Sequence, residues 1–227
     1  QVRVPAAVEI VSDEEFRERI DGIIALGGDG TMLGAMRLMV GRPVPILGVN
    51  HGNLGFLVEV TPAGLPEALH RLAEGEFTVE AHAGLKVAIG DTARCAFNDV
   101  VLGRGGPGRT TNVDLTVNEV HYGYYRADAV IVATPTGSTA YNYSAGGPVL
   151  SPSSNAMVVT PVAPMSGISR PVVLGGEDRV AFRAEDPLTV EADGTGPDRV
   201  PAGDSLSVRL LAGAAQVVRL SVDDYAN

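Results

Sequence analysis

Apolar positions follow two different periods along this chain of 227 residues, and the change near residue 70 divides it. Before that point, residues 13–20 read as a helix, 22–26 as a buried strand, 31–39 as a helix and 45–49 as a second strand. Residues 65–73 give one more helix, with Pro66 in the first turn, where its missing N–H costs nothing. Strands alternating with helices imply a parallel sheet with crossover connections. Beyond residue 73 the period drops to two. Segments 77–80, 86–89, 113–117, 130–133, 157–160, 179–182, 188–191, 205–211 and 216–222 read as strands separated by Gly, Asp, Asn or Pro turns. The pattern predicts a small, open α/β domain of Rossmann-like character over 1–70, followed by a larger β-rich, sandwich-like domain over 71–227. A single helix precedes the first strand, where an open α/β domain usually begins with a strand, so the first domain is expected to be N-terminally incomplete.

Composition narrows the class. Side chains are 45% hydrophobic, enough for a sizeable core, and no apolar stretch approaches the ~20 residues that cross a bilayer. A formal charge of −10 with no basic stripe argues against nucleic acid and anionic membrane as partners. The one cysteine, Cys95, can form no disulfide within the chain and reads as a buried thiol, so a cytoplasmic location is expected. His51, His70, His82 and His121 lack the paired spacing of a zinc site, and no metal-ligating residues are expected.

Candidate chemistry begins at Gly-Gly-Asp-Gly-Thr, residues 27–31, where the first strand turns into a helix. Such a turn aims backbone N–H groups and the positive end of the helix dipole outward, and glycines let an anion approach closely. The spacing fits a dinucleotide fingerprint poorly, because Leu33 occupies the third glycine position and the next glycine is Gly34. A nucleotide P-loop fails outright for want of a lysine, since Lys86 is the only one in the chain. Asp29, an anion in a place that attracts anions, has two readings: a cap for the following helix, or a carboxylate that takes a hydroxyl proton or organises Mg²⁺ beside a nucleotide.

A second stretch runs from the strand at 130–133 into Thr134-Pro135-Thr136-Gly137-Ser138-Thr139-Ala140-Tyr141, then Ser144-Ala145-Gly146-Gly147-Pro148. Four hydroxyls beside a helix start suit ribose and phosphate oxygens, although each is also compatible with an ordinary cap. No G-x-S-x-G elbow is present, which argues against a serine hydrolase.

These two motifs, with Phe97-Asn98-Asp99 between them and Asp193-Gly194 near the end, resemble the NAD kinase family over residues 22–222. Lipid kinases of the wider superfamily share the first motif and lack the second. The resemblance implies an α/β domain and a β-rich domain with the active site between them. It also implies phosphoryl transfer from ATP or polyphosphate, with Mg²⁺ or another divalent cation, to the 2′-hydroxyl of the adenosine ribose of NAD, in a homo-oligomer, dimer or tetramer. Asp29 would be the catalytic carboxylate, with Gly28, Gly30 and Thr31 shaping the phosphate loop. Asn98 and Asp99 would bind the ribose and nicotinamide side, and Thr139, Ala140, Tyr141 and Ser144 would line the dinucleotide pocket. Asp128, with Ala129, would face the carboxamide or adenine amine from a neighbouring subunit, and Ala163 would pack its backbone on adenine. Phe56 would be a pocket wall, a position that an ordinary core residue fits equally. Asp193-Gly194 also reads as a plain hairpin turn.

Four positions depart from the family pattern. Asp128-Ala129 stands where Asp-Gly is common, Met165 where many members have histidine, and His51 and Asn53 where basic or glycine residues are usual. They bear on which acceptor is accepted. Two other functions therefore stand beside an NAD kinase: a kinase of the same fold acting on another nucleoside or lipid hydroxyl, and a non-catalytic NAD(P)-sensing module.

Overall fold

The computed structural model describes residues 9–50 and 55–220, and the chain divides into two compact units, Gln1–Glu80 with Gln216–Asn227, and Ala81–Ala215. In the first unit, α1 (Asp13–Arg19) starts at Ser12, whose Oγ accepts the Glu15 N–H at 3.2 Å, and Asp13, Glu14 and Glu15 meet the positive end of the helix dipole. Arg42 donates to the carbonyls of Arg17 (2.6 Å) and Ile20 (2.8 Å), which α1 leaves unpaired at its C-terminal end. Then follow β1 (Ile23–Leu26), α2 (Asp29–Leu38), β2 (Pro45–Val49) and α3 (Leu65–Ala73). β1 and β2 pair in parallel from Ile23↔Ile46 to Leu26↔Val49, as the strand–helix alternation predicts. Met32, Met36 and Met39, four and three residues apart, are fully buried at the inner edge of α2.

A core of Leu47, Val49, Val60, Ala68, Val218 and Leu220, with Leu65, Leu72 and Phe77 against it, extends this unit to Glu80. A division at residue 70 would cut α3, whose apolar face packs on both sides of that point.

The second unit is built from strands. They are β3 (Thr78–Ile89), β4 (Thr92–Ala96), β5 (Asp99–Arg104), β6 (Thr111–Val117), β7 (Val120–Ala127), β8 (Ala129–Ala133), β9 (Ala156–Val162), β10 (Ser166–Gly167), β11 (Val172–Gly175), β12 (Val180–Ala184), β13 (Leu188–Ala192), β14 (Thr195–Val200) and β15 (Ser205–Arg219). A short helix, α4 (Tyr141–Ser144), follows a 3-10 turn at Thr136–Thr139. One sheet has the order β11-β9-β8-β5-β13-β14, antiparallel throughout. The other runs β15-β12-β6-β7-β10, with β3 pairing both β15 and β4. Their facing sides enclose one core that includes Leu85, Leu115, Tyr125 and Phe182 from one sheet and Leu102, Val130, Val132 and Met157 from the other. This is the expected sandwich.

Six strands escape the sequence pattern. β14 contains Gly196 and Pro197 and reads as a turn; β7 exposes Tyr122 and Tyr124, so its alternation is broken. The segments read at 205–211 and 216–222 are joined, for β15 passes through Gly213, at φ +59°, without interruption, and residues 221 and 222 lie outside the described residues. Cys95, read as buried, is half-buried on β4. Among the described residues no helix is long and apolar enough to cross a membrane.

Candidate functional site

The predicted site residues fall into three groups, one in the first unit and two in the second. In the first unit the Gly27 N–H donates to Val49 O at 2.9 Å, which ties the turn after β1 to β2. Gly28 is the N-cap of α2 and makes no side-chain cap. Asp29 is the first helical residue, and its carboxylate does not cap α2. Instead Oδ2 accepts the Phe56 N–H at 3.1 Å and Oδ1 the Leu57 N–H at 3.0 Å. Gly55 permits this approach, since a Cβ there would overlap the Asp29 carboxylate. A carboxylate has about four lone-pair positions, so two remain for a ligand. Gly28 and Gly30 have nothing within 4 Å of where a Cβ would sit, and both are exposed, as is Thr31. Phe56 is 78% exposed and is no core residue. Its carbonyl accepts from Arg219 at 3.4 Å, and Arg219 also pairs with Glu80 at 2.7 Å.

The second group gathers where β5 begins and β8 ends, because Asp99 pairs with Ala133. Thr134 grips the preceding turn: its Oγ1 donates to Phe97 O at 2.6 Å and its N–H to Asn98 O at 3.0 Å. Gly137 sits so close that a Cβ would overlap Asn98 O. This holds Asn98 and Asp99 against the 3-10 turn that leads to Thr139, Ala140, Tyr141 and Ser144. Tyr141 is 46% exposed, and Thr139 and Ser144 are exposed as well.

The hydroxyl patch divides. Thr134 and Ser138 are buried and serve the backbone, Ser138 Oγ donating to Pro135 O (2.6 Å) and accepting the Leu150 N–H (2.9 Å). Thr136 meets His82 Nδ1 at 3.0 Å. Thr139 Oγ1 donates to Thr136 O at 3.1 Å and stays at the surface. Beneath them Asn142, fully buried, donates to Ser138 O and Pro148 O and accepts from Thr160.

Asp193, at the β13–β14 hairpin turn, does more than turn the chain. Its carboxylate accepts the N–H groups of Phe97 (3.0 Å), Asn98 (2.7 Å) and Asp99 (3.3 Å), and its own N–H donates to Asp99 O at 3.0 Å. Asp99 is 6% exposed; burial, and then the Asp193 charge, push its carboxyl up to about 6.

A third group lies at the other end of β8. The Asp128 N–H donates to Val162 O at 2.9 Å, Ala129 pairs with Val162, and Ala163 follows at φ +46°. The Asp128 carboxylate lies 3.5 Å from Arg104. Four residues of strand, about 13 Å, separate this group from the Asn98 group. Met165 is 57% exposed beside it, while His51 and Asn53 lie outside the described residues.

Among the described residues no three His, Cys, Asp or Glu side chains are placed to hold a metal ion. Asn142 and Thr160 carry much of this architecture and no local pattern marks them, and nothing local in the Asp193-Gly194 motif shows that its carboxylate reaches residues 97–99. The available signal was an Asp-Gly pair after a strand, and it points equally to a simple turn.

The chain matches the ATP-NAD kinase N-terminal domain family over residues 7–77 and the ATP-NAD kinase C-terminal domain family over residues 97–220. It is 41% identical over 210 residues to the NAD kinase of Gemmatimonas aurantiaca, covering 88% of this chain and 73% of that one. With the NAD kinase of Methanopyrus kandleri it shares 37% identity over 210 residues, 92% of this chain and 76% of the relative. A yeast NADH kinase complexed with NADH superposes with a TM-score of 0.85 at 27% identity, over 95% of this chain and 66% of that one. An NAD kinase from Archaeoglobus fulgidus in complex with ATP gives 0.76 at 30% identity, over 92% and 80%. Two matched domain families in order along one chain, with relatives of this identity and coverage, make it a member of the NAD kinase family.

Proposed function

We propose that this chain transfers the terminal phosphoryl group of ATP to the 2′-hydroxyl of the adenosine ribose of NAD, giving NADP and ADP. The observation that carries the reading is Asp29, a carboxylate in a glycine-framed strand-to-helix turn, fixed by two backbone N–H groups and still able to accept from a ligand hydroxyl. The 2′-oxygen forms the new bond to phosphorus, the bond to the ADP oxygen breaks, and the hydroxyl proton passes to Asp29. Phosphoryl transfer asks mainly for positioning and charge neutralisation, so a loop without lysine suffices.

Gly28, Gly30 and Thr31 leave room for phosphates, and Phe56 offers an exposed aromatic wall. Asn98 and Asp99 take the nicotinamide ribose; Thr139, Ala140, Tyr141 and Ser144 line the dinucleotide. Asp128, with Ala129, faces the carboxamide or adenine amine of a neighbouring subunit's ligand in a cytoplasmic homo-oligomer, and Ala163 packs its backbone on adenine. Mg²⁺ would accompany the nucleotide phosphates, whose charge it neutralises.

Purified protein incubated with NAD, Mg²⁺ and either ATP or polyphosphate tests this, with products identified by mass spectrometry. NADP formation is the expected result. NAD binding with no turnover on either donor would favour a sensing module, and phosphorylation of another acceptor in place of NAD would reassign the substrate.

A further inference from the structure

We infer that Asp193 is a positioning residue for the dinucleotide, setting the backbone of Phe97, Asn98 and Asp99 so that the Asn98 side chain meets the ribose. The inference rests on the proposed role of Asn98.

Three consecutive N–H groups converging on one point form a concave site for an anion. Here the chain fills it from almost a hundred residues away, with the Asp193 carboxylate at 2.7–3.3 Å from all three. Asp193 and Gly194, at φ +47° and +67°, form the two-residue turn between β13 and β14, and from that turn the carboxylate reaches back to the Phe97–Asp99 backbone. On the other side of the Phe97–Asp99 turn, Thr134 takes the carbonyls of Phe97 and Asn98. The turn is thus gripped by its donors and by its acceptors. Among the described residues nothing hydrogen-bonds the Asn98 side chain, so its direction is inherited from this backbone. A carboxylate that accepts three bonds while lying beside the buried Asp99 places two like charges close together, an arrangement that simple turn formation does not require.

The test compares Asp193→Asn, which keeps one accepting oxygen, and Asp193→Ala, which keeps none, with Thr195→Ala. Thr195 Oγ1 bonds Ala192 O at 2.6 Å in the same hairpin and touches none of the three N–H groups. For the Asp193 variants we expect the KM for NAD to rise at least tenfold, more for Ala than for Asn, with the KM for ATP within twofold and faster amide exchange at residues 97–99. Thr195→Ala lowers Tm and leaves the KM for NAD within twofold. In the wild type, NAD shifts the Asn98 and Asp99 amide resonances and ATP alone does not, a readout that needs no variant to fold. Asn98→Ala separates the two layers. A raised KM for NAD in Asn98→Ala with an unchanged one in Asp193→Asn overturns this inference alone. Unchanged values in both remove Asn98 from the site and the inference with it. A parallel rise for NAD and ATP reduces Asp193 to a structural residue.

Discussion

Asp29 and Gly55 fit together with no spare volume: the glycine lies where any side chain would overlap the carboxylate, and the next two N–H groups bond it. The proposed proton acceptor is therefore also the anchor of the Gly55–Leu57 backbone. Asp29→Asn should lower turnover by about 10²-fold or more, the usual worth of a positioned proton acceptor. An amide must also turn its NH₂ toward one of the two backbone donors, so unfolding stability should fall by roughly 1–3 kcal/mol. Single-turnover kinetics and urea titration read the two effects separately. Unchanged turnover would take Asp29 out of the chemistry.

Gly55→Ala should disturb the same carboxylate without removing it. Overpacking of this kind costs about 1–3 kcal/mol, and activity should drop while Asp29 is still present. Full activity with native Tm would show that the segment yields without consequence.

Phe56→Ala separates fold from ligand. At 78% exposure the ring contributes little to the core, so Tm should hold within about 1 °C, since exposed substitutions away from special features change stability by under about 0.5 kcal/mol. The KM for nucleotide should rise severalfold. An unaltered KM would leave the ring without a role.

Asn142→Ala should be among the most damaging changes in the second unit. It strands the Ser138 carbonyl and the Thr160 hydroxyl in a buried place, at about 1–3 kcal/mol for each, and unties the more exposed Pro148 carbonyl. Calorimetry should record a fall in Tm of several degrees.

Asp99 gives stability a pH dependence of definite sign. Its folded-state value of about 6 lies above the model-peptide 3.8, so between those values the native state holds a proton that the unfolded chain has released. That contribution is complete below about pH 4 and is lost as pH rises through 6, leaving a cost of roughly 3 kcal/mol at neutral pH. Asp99→Asn should thus be stabilised relative to wild type at pH 7.5 and lose the advantage by pH 4. A difference that does not vary with pH would contradict this placement of the charge.

Legibility in the sequence tracked the range of the interaction. The GGDGT turn and the strand at 130–133 are set by local period and glycine placement, and both stand where the pattern puts them. Whether Asp29 caps its own helix or reaches elsewhere depends on Phe56 and Leu57, 27 and 28 residues on, and no local pattern encodes that. Asp193 is the extreme case, since its partners lie 94–96 residues away and its Asp-Gly pair is common in turns. Ser138 and Thr134 look like ligand donors in a string of letters; burial turns them inward to serve backbone groups, Thr134 the carbonyl of Phe97 and Ser138 the carbonyl of Pro135 and the N–H of Leu150.

Finally, the last strand gives its final residues to the unit with which the chain begins. Gln216 and Val217 pair with Pro45 and Ile46, Val218 and Leu220 enter the core beside Leu47, and Arg71 holds Leu220 O at 2.6 Å. The amino-terminal α/β region is consequently no autonomous gene segment. Expressed by itself up to Glu80, it would bare one edge of its sheet and one wall of its interior, so any attempt to graft or shuffle it must carry the tail along.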